Sequence, residues 1–257
     1  MTGDHVAVPE GRHAMQCYGA DTSELLSSAG RYLAAGAAQG ESVLIVARAA
    51  HAEALLDRVR RGAESGSALE DDRIAALDAR ATLDAVTPGG QPDPDLFEAV
   101  VGGAVRRLQA ARPGARVRAY GEMVGLLWEG WKFDAAIRLE GYWNRLLARH
   151  DVSLFCAYPI DVFGLEFDPE ILHPVLSAHT ELLPGTAGDL DGALDRAVSD
   201  VLGPDGSARV AAAADARWGR LPAAEAKVLW IRAHLPSEQA QAILQQARRH
   251  CEASQAA

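Results

Sequence analysis

Glu122 is the side chain in this sequence best placed to do chemistry. It follows the short apolar run 117–120 and Gly121, and a helical pattern begins directly after it. A strand that stops at a glycine and hands over to a helix puts this carboxylate at the carboxyl edge of a sheet, where open α/β folds bind ligands. The plainer alternative is a carboxylate in the first helical turn, favoured there by the helix dipole. Other polar groups fall just beyond apolar runs in the same way: Tyr18, Asp21, Arg48, Asp78 and Asp161. Of these, Asp21 reads as a helix cap, and Asp78 and Asp161 as turn residues. Further on, Glu140 and Asn144 are four apart at the edge of an apolar stripe formed by Ala136, Leu139, Trp143, Leu146 and Leu147. A carboxylate buried beside aromatic rings requires a partner, here expected to be an arginine or a backbone amide. Trp128 and Trp131 flank Gly130 and either fill the core or wall a cavity.

Several chemistries find no support. The segment after the apolar run 42–47 reads Ala47, Arg48, Ala49, Ala50, His51, without the glycines and Lys-Ser/Thr of a phosphate-cradling loop. No G-x-G-x-x-G opens a helix, so no nucleotide cofactor is expected. His173 and His179, six apart, lie about 240° from one another on an ideal helix, and a metal is not expected unless the helix ends between them. No nucleophile elbow occurs, and Cys17 and Cys156 fall within strands, where buried cysteines act as small inert hydrophobes.

These groups have to be positioned by a regular alternation of elements. Residues 1–12 read as a tail and 13–18 as a strand. Asp21 and Glu24 have capping-box spacing for a helix ending near Gly36 or Gly40. The continuous apolar run 42–47 is a strand buried on both faces, followed by a helix over 50–61. A Gly/Ser-rich interval, 62–67, leads to a weaker strand at 73–78 and a short helix at 81–86. Asp93-Pro94 starts a helix running to 111. After the stretch around Glu122, residues 152–158 form another buried strand, stopped by Pro159, and Asp168-Pro169 starts a helix to 178. From 190 onward only helical signals remain: 190–202, 208–218, and a helical hairpin, 222–234 and 237–251, split at Leu235-Pro236.

The totals bound the function. The chain has 257 residues, 49% of them hydrophobic, enough for one large core. Its formal net charge is −10, with no dense basic run, which argues against direct binding of nucleic acid or an anionic membrane. Three cysteines, widely spaced, fit a reducing cytoplasm. The first residues lack the pattern of a signal peptide, and no apolar run approaches the length of a membrane span.

Five runs then coincide with a known family. HAMQCYG, GESVLIVA, RAYGEMVGLLWEGWKFDAAIRLEGYWNRLL, SLFCAYPIDVF and ILHPVLSAHTELLP resemble, in that order, the MEDS domain. This sensory family is named for methanogens and methylotrophs and typified by the sensory region of a dichloromethane-responsive repressor. The resemblance covers 13–184 and implies a degenerate RecA-like domain without a working P-loop that recognises a small organic molecule. Carried over by motif are His13, Tyr18, Tyr120, Gly121, Glu122, Trp128, Glu140, Trp143, Asn144, Cys156, Tyr158, Pro159 and His179. Two departures bear on the pocket: Cys17 stands where an aromatic or large apolar residue is expected, and the segment before His179 lacks a cysteine.

The expectation is therefore an α/β fold: a mainly parallel sheet of five or more strands with helices on both faces, RecA-like by resemblance, plus an all-helical extension over 185–257. Its expected function is a non-enzymatic sensory or regulatory protein with no cofactor and no metal. The ligand-binding set is His13, Tyr18, Arg48, Tyr120, Glu122, Trp128, Glu140, Trp143, Asn144, Tyr158 and His179. Signals would pass through the C-terminal helices to a regulatory partner or a homodimer. The alternatives are an interaction module with a vestigial pocket, or an enzyme using Glu122 as acid or base with Arg48 orienting an anionic substrate.

Overall fold

A computed structural model describes residues 12–63, 71–185 and 189–255. Residues 1–11 of the expected tail, and 64–67 of the Gly/Ser interval, lie outside the described residues. In chain order the elements begin β1 (His13–Cys17), α1 (Ser23–Ala38), β2 (Ser42–Ala47), α2 (Ala49–Ala63), β3 (Ile74–Asp78) and α3 (Ala79–Val86). Next come α4 (Pro94–Phe97), continued through a π-turn (Glu98–Gly102) into α5 (Gly103–Ala111), then β4 (Val117–Gly121), α6 (Met123–Glu129) and α7 (Phe133–Arg149). The remainder is β5 (Val152–Tyr158), α8 (Pro169–Ala178), β6 (Glu181–Leu183), α9 (Leu190–Leu202), α10 (Pro204–Trp218), α11 (Ala223–His234) and α12 (Ser237–Gln255).

Local chemistry sets the helix starts. The Asp93 carboxylate accepts from the amides of Asp95 and Leu96, and Asp168 accepts from Glu170, each with proline at the first helical position. Asp78 is the cap of α3, accepting from Ala81, rather than a turn residue alone. Asp21 differs from expectation as well. Helix α1 begins at Ser23, whose amide and hydroxyl both donate to Asp21, while Glu24 turns to Ser28 and Arg31 instead of closing a capping box.

The six strands form one sheet in the order β3-β2-β4-β5-β1-β6, with every pairing parallel. The sixth strand, β6, has three residues, too few for its alternation to stand out in the sequence. The chain first crosses from β1 to β2 to β3 in one direction along the sheet, then returns through β4 and β5 to β6. Right-handed crossovers therefore place α1 and α2 on one face and the later helices on the other. Side chains sort accordingly. Ala14, Val43, Ile45, Tyr120 and Phe155 pack with Leu25, Tyr32, Leu33, Leu55 and Val59 on the first face. Met15, Leu44, Ala119, Leu154 and Cys156 join the second core, which continues without interruption into Leu194, Val198, Val228, Leu229 and Ile243 of the C-terminal helices. Where the direction of travel reverses, β2 beside β4 and β1 beside β5, neighbouring strands send their chains to opposite faces and open a crevice at the carboxyl edge.

Candidate functional site

The side chains singled out from the sequence separate into two clusters. The first occupies the carboxyl edge between β2 and β4. Glu122, fully buried, accepts hydrogen bonds from the Arg48 backbone amide (3.0 Å), the Tyr120 hydroxyl (2.7 Å) and the His51 Nδ1 (2.6 Å). Arg48 Nε stands 3.5 Å away, and its Nη2 reaches Glu129 at 2.8 Å. Burial, then the Glu122 charge, pushes the Tyr120 phenol well above its ordinary value and keeps it a donor. The Tyr18 hydroxyl is buried at this edge without a hydrogen-bond partner. The carboxylate is thus held by three donors from the protein itself, and the cluster ties the loop after β2 to the turn after β4. His51 was missed by sequence reasoning; its position in the first turn after Arg48 was the available signal.

The second cluster lies inside the molecule, under the β1–β5 pair. His13 opens β1, Cys156 points to the same face from β5, Glu140 comes from α7, and His179 caps the C-terminus of α8. Donor atoms of these four buried side chains all lie within 4.8 Å of one another. Glu140 is fully buried, and its expected partner, an arginine or backbone amide, is replaced by two imidazoles and a phenol. His13 Nε2 and His179 Nε2 stand 3.3 Å from its two oxygens, and the Tyr158 hydroxyl donates to Oε1. Burial opposes the charge of Glu140, but the histidines outweigh it and hold the carboxyl far below the usual range. Burial and the same carboxylate push the Cys156 thiol well above its ordinary value.

Outer contacts fix both rings. The Asn144 Nδ2 donates to the Ala178 carbonyl at 3.0 Å, which turns its Oδ1 toward His13 Nδ1 at 2.9 Å. His179 Nδ1 faces the Val175 carbonyl at 2.7 Å. Both Nδ1 atoms must therefore carry the proton, and both Nε2 atoms aim into the cluster. On spacing alone, His173 and His179 offer no shared metal-binding face. Helix α8 ends between them, and His179 meets His13, Glu140 and Cys156 instead.

The aromatic candidates serve packing. Trp128 is buried against Phe133 and edge-on to Tyr158, with ring centroids 5.5 Å apart in the latter pair. Trp143 packs edge-on to Phe97 and against Gly121, in the core rather than in either polar cluster. Trp131 is 70% exposed.

A cleft of about 300 Å³ opens beside the second cluster. One wall is Met15, His173, Leu176, Ser177, His179 and Leu182; the other is Arg217, Trp218 and Leu221, from the end of α10 and the turn into α11. His179 thus joins the interior cluster to the surface.

The family model described as "MEDS: MEthanogen/methylotroph, DcmR Sensory domain" matches residues 12–180, the segment that contains both clusters. No curated protein and no solved structure matches the chain significantly.

Proposed function

The chain belongs to the MEDS sensory-domain family, and from that premise we propose that it is a non-enzymatic regulatory protein that binds a small organic molecule. The binding state would be relayed through the C-terminal helices to a partner protein or a second copy. The cleft between α8–β6 and the α10–α11 turn carries this reading, because one wall lies in the family-matched segment, save Leu182 just past its end, and the other in the helices beyond it. A molecule seated there would alter how the helices lie on the sheet domain. In this reading residues 13–184 are the sensory unit and 185–257 its helical extension. Glu122, which the acid/base alternative requires, is engaged by three protein donors and serves as a tie. Among the described residues no helix is long and apolar enough to cross a membrane, and the net charge of −10 opposes direct contact with nucleic acid. A cytoplasmic setting is the accompanying proposal.

The test is a thermal-shift screen of small organic compounds against the full chain and against Ser177→Trp, which fills the cleft from an exposed position. A compound that binds only the folded state raises the midpoint by mass action. Such shifts are expected with the original chain and lost in Ser177→Trp. Shifts that persist in the filled variant would put the ligand elsewhere.

A further inference from the structure

We propose that His13, Glu140, Cys156 and His179 form a buried binding site for one divalent transition-metal ion of the zinc class. The donor set is the first ground. Two imidazoles, a thiolate and a carboxylate are ligands that zinc takes in tetrahedral sites, whereas magnesium and calcium require oxygen. Spacing is the second. Bond lengths of about 2.0–2.3 Å in a tetrahedral site place neighbouring donors about 3.3–3.6 Å apart. Here His13 Nε2 lies 3.3 Å from Glu140 Oε2 and 3.4 Å from Cys156 Sγ, and His179 Nε2 lies 3.3 Å from the other carboxylate oxygen, Oε1. Sγ lies 3.9 Å from Oε2 and the four donors together lie within 4.8 Å, so the wider pairs close in as the ion binds.

Outer-shell orientation is the third ground. A ligating histidine donates its other ring N–H to a carbonyl or carboxylate, which fixes the ring. His13 has the Asn144 amide oxygen in that role and His179 the Val175 carbonyl, so each Nε2 lone pair points inward. The His179 Nε2 is buried, sits within ion-pair distance of Glu140 and makes no hydrogen bond of good geometry, as expected of an atom placed to hold something else. Charge supplies the fourth. Two neutral imidazoles, one carboxylate and one thiolate sum to two negative charges, which a divalent cation cancels in a site where uncompensated charge is costly. Cys156 releases its thiol proton, and each imidazole any Nε2 proton that faces Glu140, to solvent as the ion binds. An entry path exists, because His179 also lines the open cleft.

The experiment uses the full chain, stripped with chelator and titrated with Co²⁺ alone, then with Zn²⁺ in competition. The expected result is a single Co²⁺ per chain, with the intense visible bands of a tetrahedral site and a thiolate charge-transfer band, both displaced by Zn²⁺. Cys156→Ser should abolish the charge-transfer band, His179→Ala should abolish binding, and Asn144→Ala should weaken affinity by about 10–100-fold. Circular dichroism verifies each fold, and if His179→Ala does not fold, Cys156→Ser decides. Absence of a bound ion in the stripped and titrated chain would overturn the proposal. A charge-transfer band that survives in Cys156→Ser would overturn it too, by assigning the thiolate to Cys17 or Cys251.

Discussion

At the scale of single residues, Glu122 shows how a feature that reads as chemistry can act as a fastener. Its buried carboxylate gathers donors from two strand ends that the chain reaches seventy-odd residues apart, holding the loop after β2 to the turn after β4. Hydrogen bonds to a charged acceptor contribute about 1.5–3 kcal/mol and neutral ones about 1 kcal/mol. Glu122→Gln should accordingly lower stability by about 1–3 kcal/mol and Tyr120→Phe by about 1–2 kcal/mol. In urea unfolding the double variant should lose less than the sum, since both changes remove the same bond. Strict additivity would show that the hydroxyl and the carboxylate are not coupled. The candidates Glu122, Glu140 and His179 were all legible as unusual polar groups, but their partners were not. A hydrogen bond between positions 51 and 122, or an ion-pair contact between 140 and 179, has no signature in local spacing.

The elements are governed by close approach as much as by propensity. Helix α6 lies on the carboxyl end of β5 at Gly125, where an added Cβ would sit 2.6 Å from the Ala157 carbonyl oxygen and 3.0 Å from Pro159. Both obstacles are backbone or ring atoms without freedom to swing away. Gly125→Ala should therefore cost about 1–3 kcal/mol by overpacking, despite a gain of about 1 kcal/mol in helix propensity. Gly141, on α7, has nothing within 4 Å of such a Cβ, and Gly141→Ala should gain up to about 1 kcal/mol. Melting both variants compares the two directly, and a neutral Gly125→Ala would show that α6 can lift off the strand. The capping residues and continuous apolar runs made most elements readable, including β2 over its full length. Strand β6 was not, because a three-residue strand is specified by its pairing with β1 rather than by its own pattern.

For the molecule as a whole, the C-terminal helices share a core with the sheet and are fastened to it through backbone groups. Glu225 accepts from the Gly185 amide at 2.9 Å, and Arg232 donates to the carbonyls of Phe163 and Gly164 at 3.0 and 2.7 Å. Burial pushes the Glu225 carboxyl above its ordinary value of 4.5, against the Gly185 amide, which lowers it. A raised folded-state pKa means that the folded chain holds this proton more tightly than the unfolded one. Its stabilising contribution is complete below about pH 4 and is lost as pH rises through the folded value. Glu225→Gln keeps an acceptor for Gly185 without the ionisation, so it should raise the melting midpoint at about pH 8 and leave it unchanged near pH 4. A lower midpoint at the higher pH would mean that the ionised carboxylate holds the helices in place.

The sequence by itself determined the α/β class, the succession of strands and helices, and the helical character of the last third, because caps, prolines and apolar periodicity act within a few residues of where they stand. It also carried the family, through motifs that need no structure to be compared. Tertiary structure decided which polar side chains meet. Right-handed crossovers that reverse direction put Arg48 beside Glu122 at one sheet edge. The pairing of β1 with β5, with α7 and α8 packed beneath, brought His13, Cys156, Glu140 and His179 from across 167 positions of chain into one buried cluster. Such encounters depend on strand order and register, which follow from the packing of the whole chain and leave no mark on the spacing of the residues that meet.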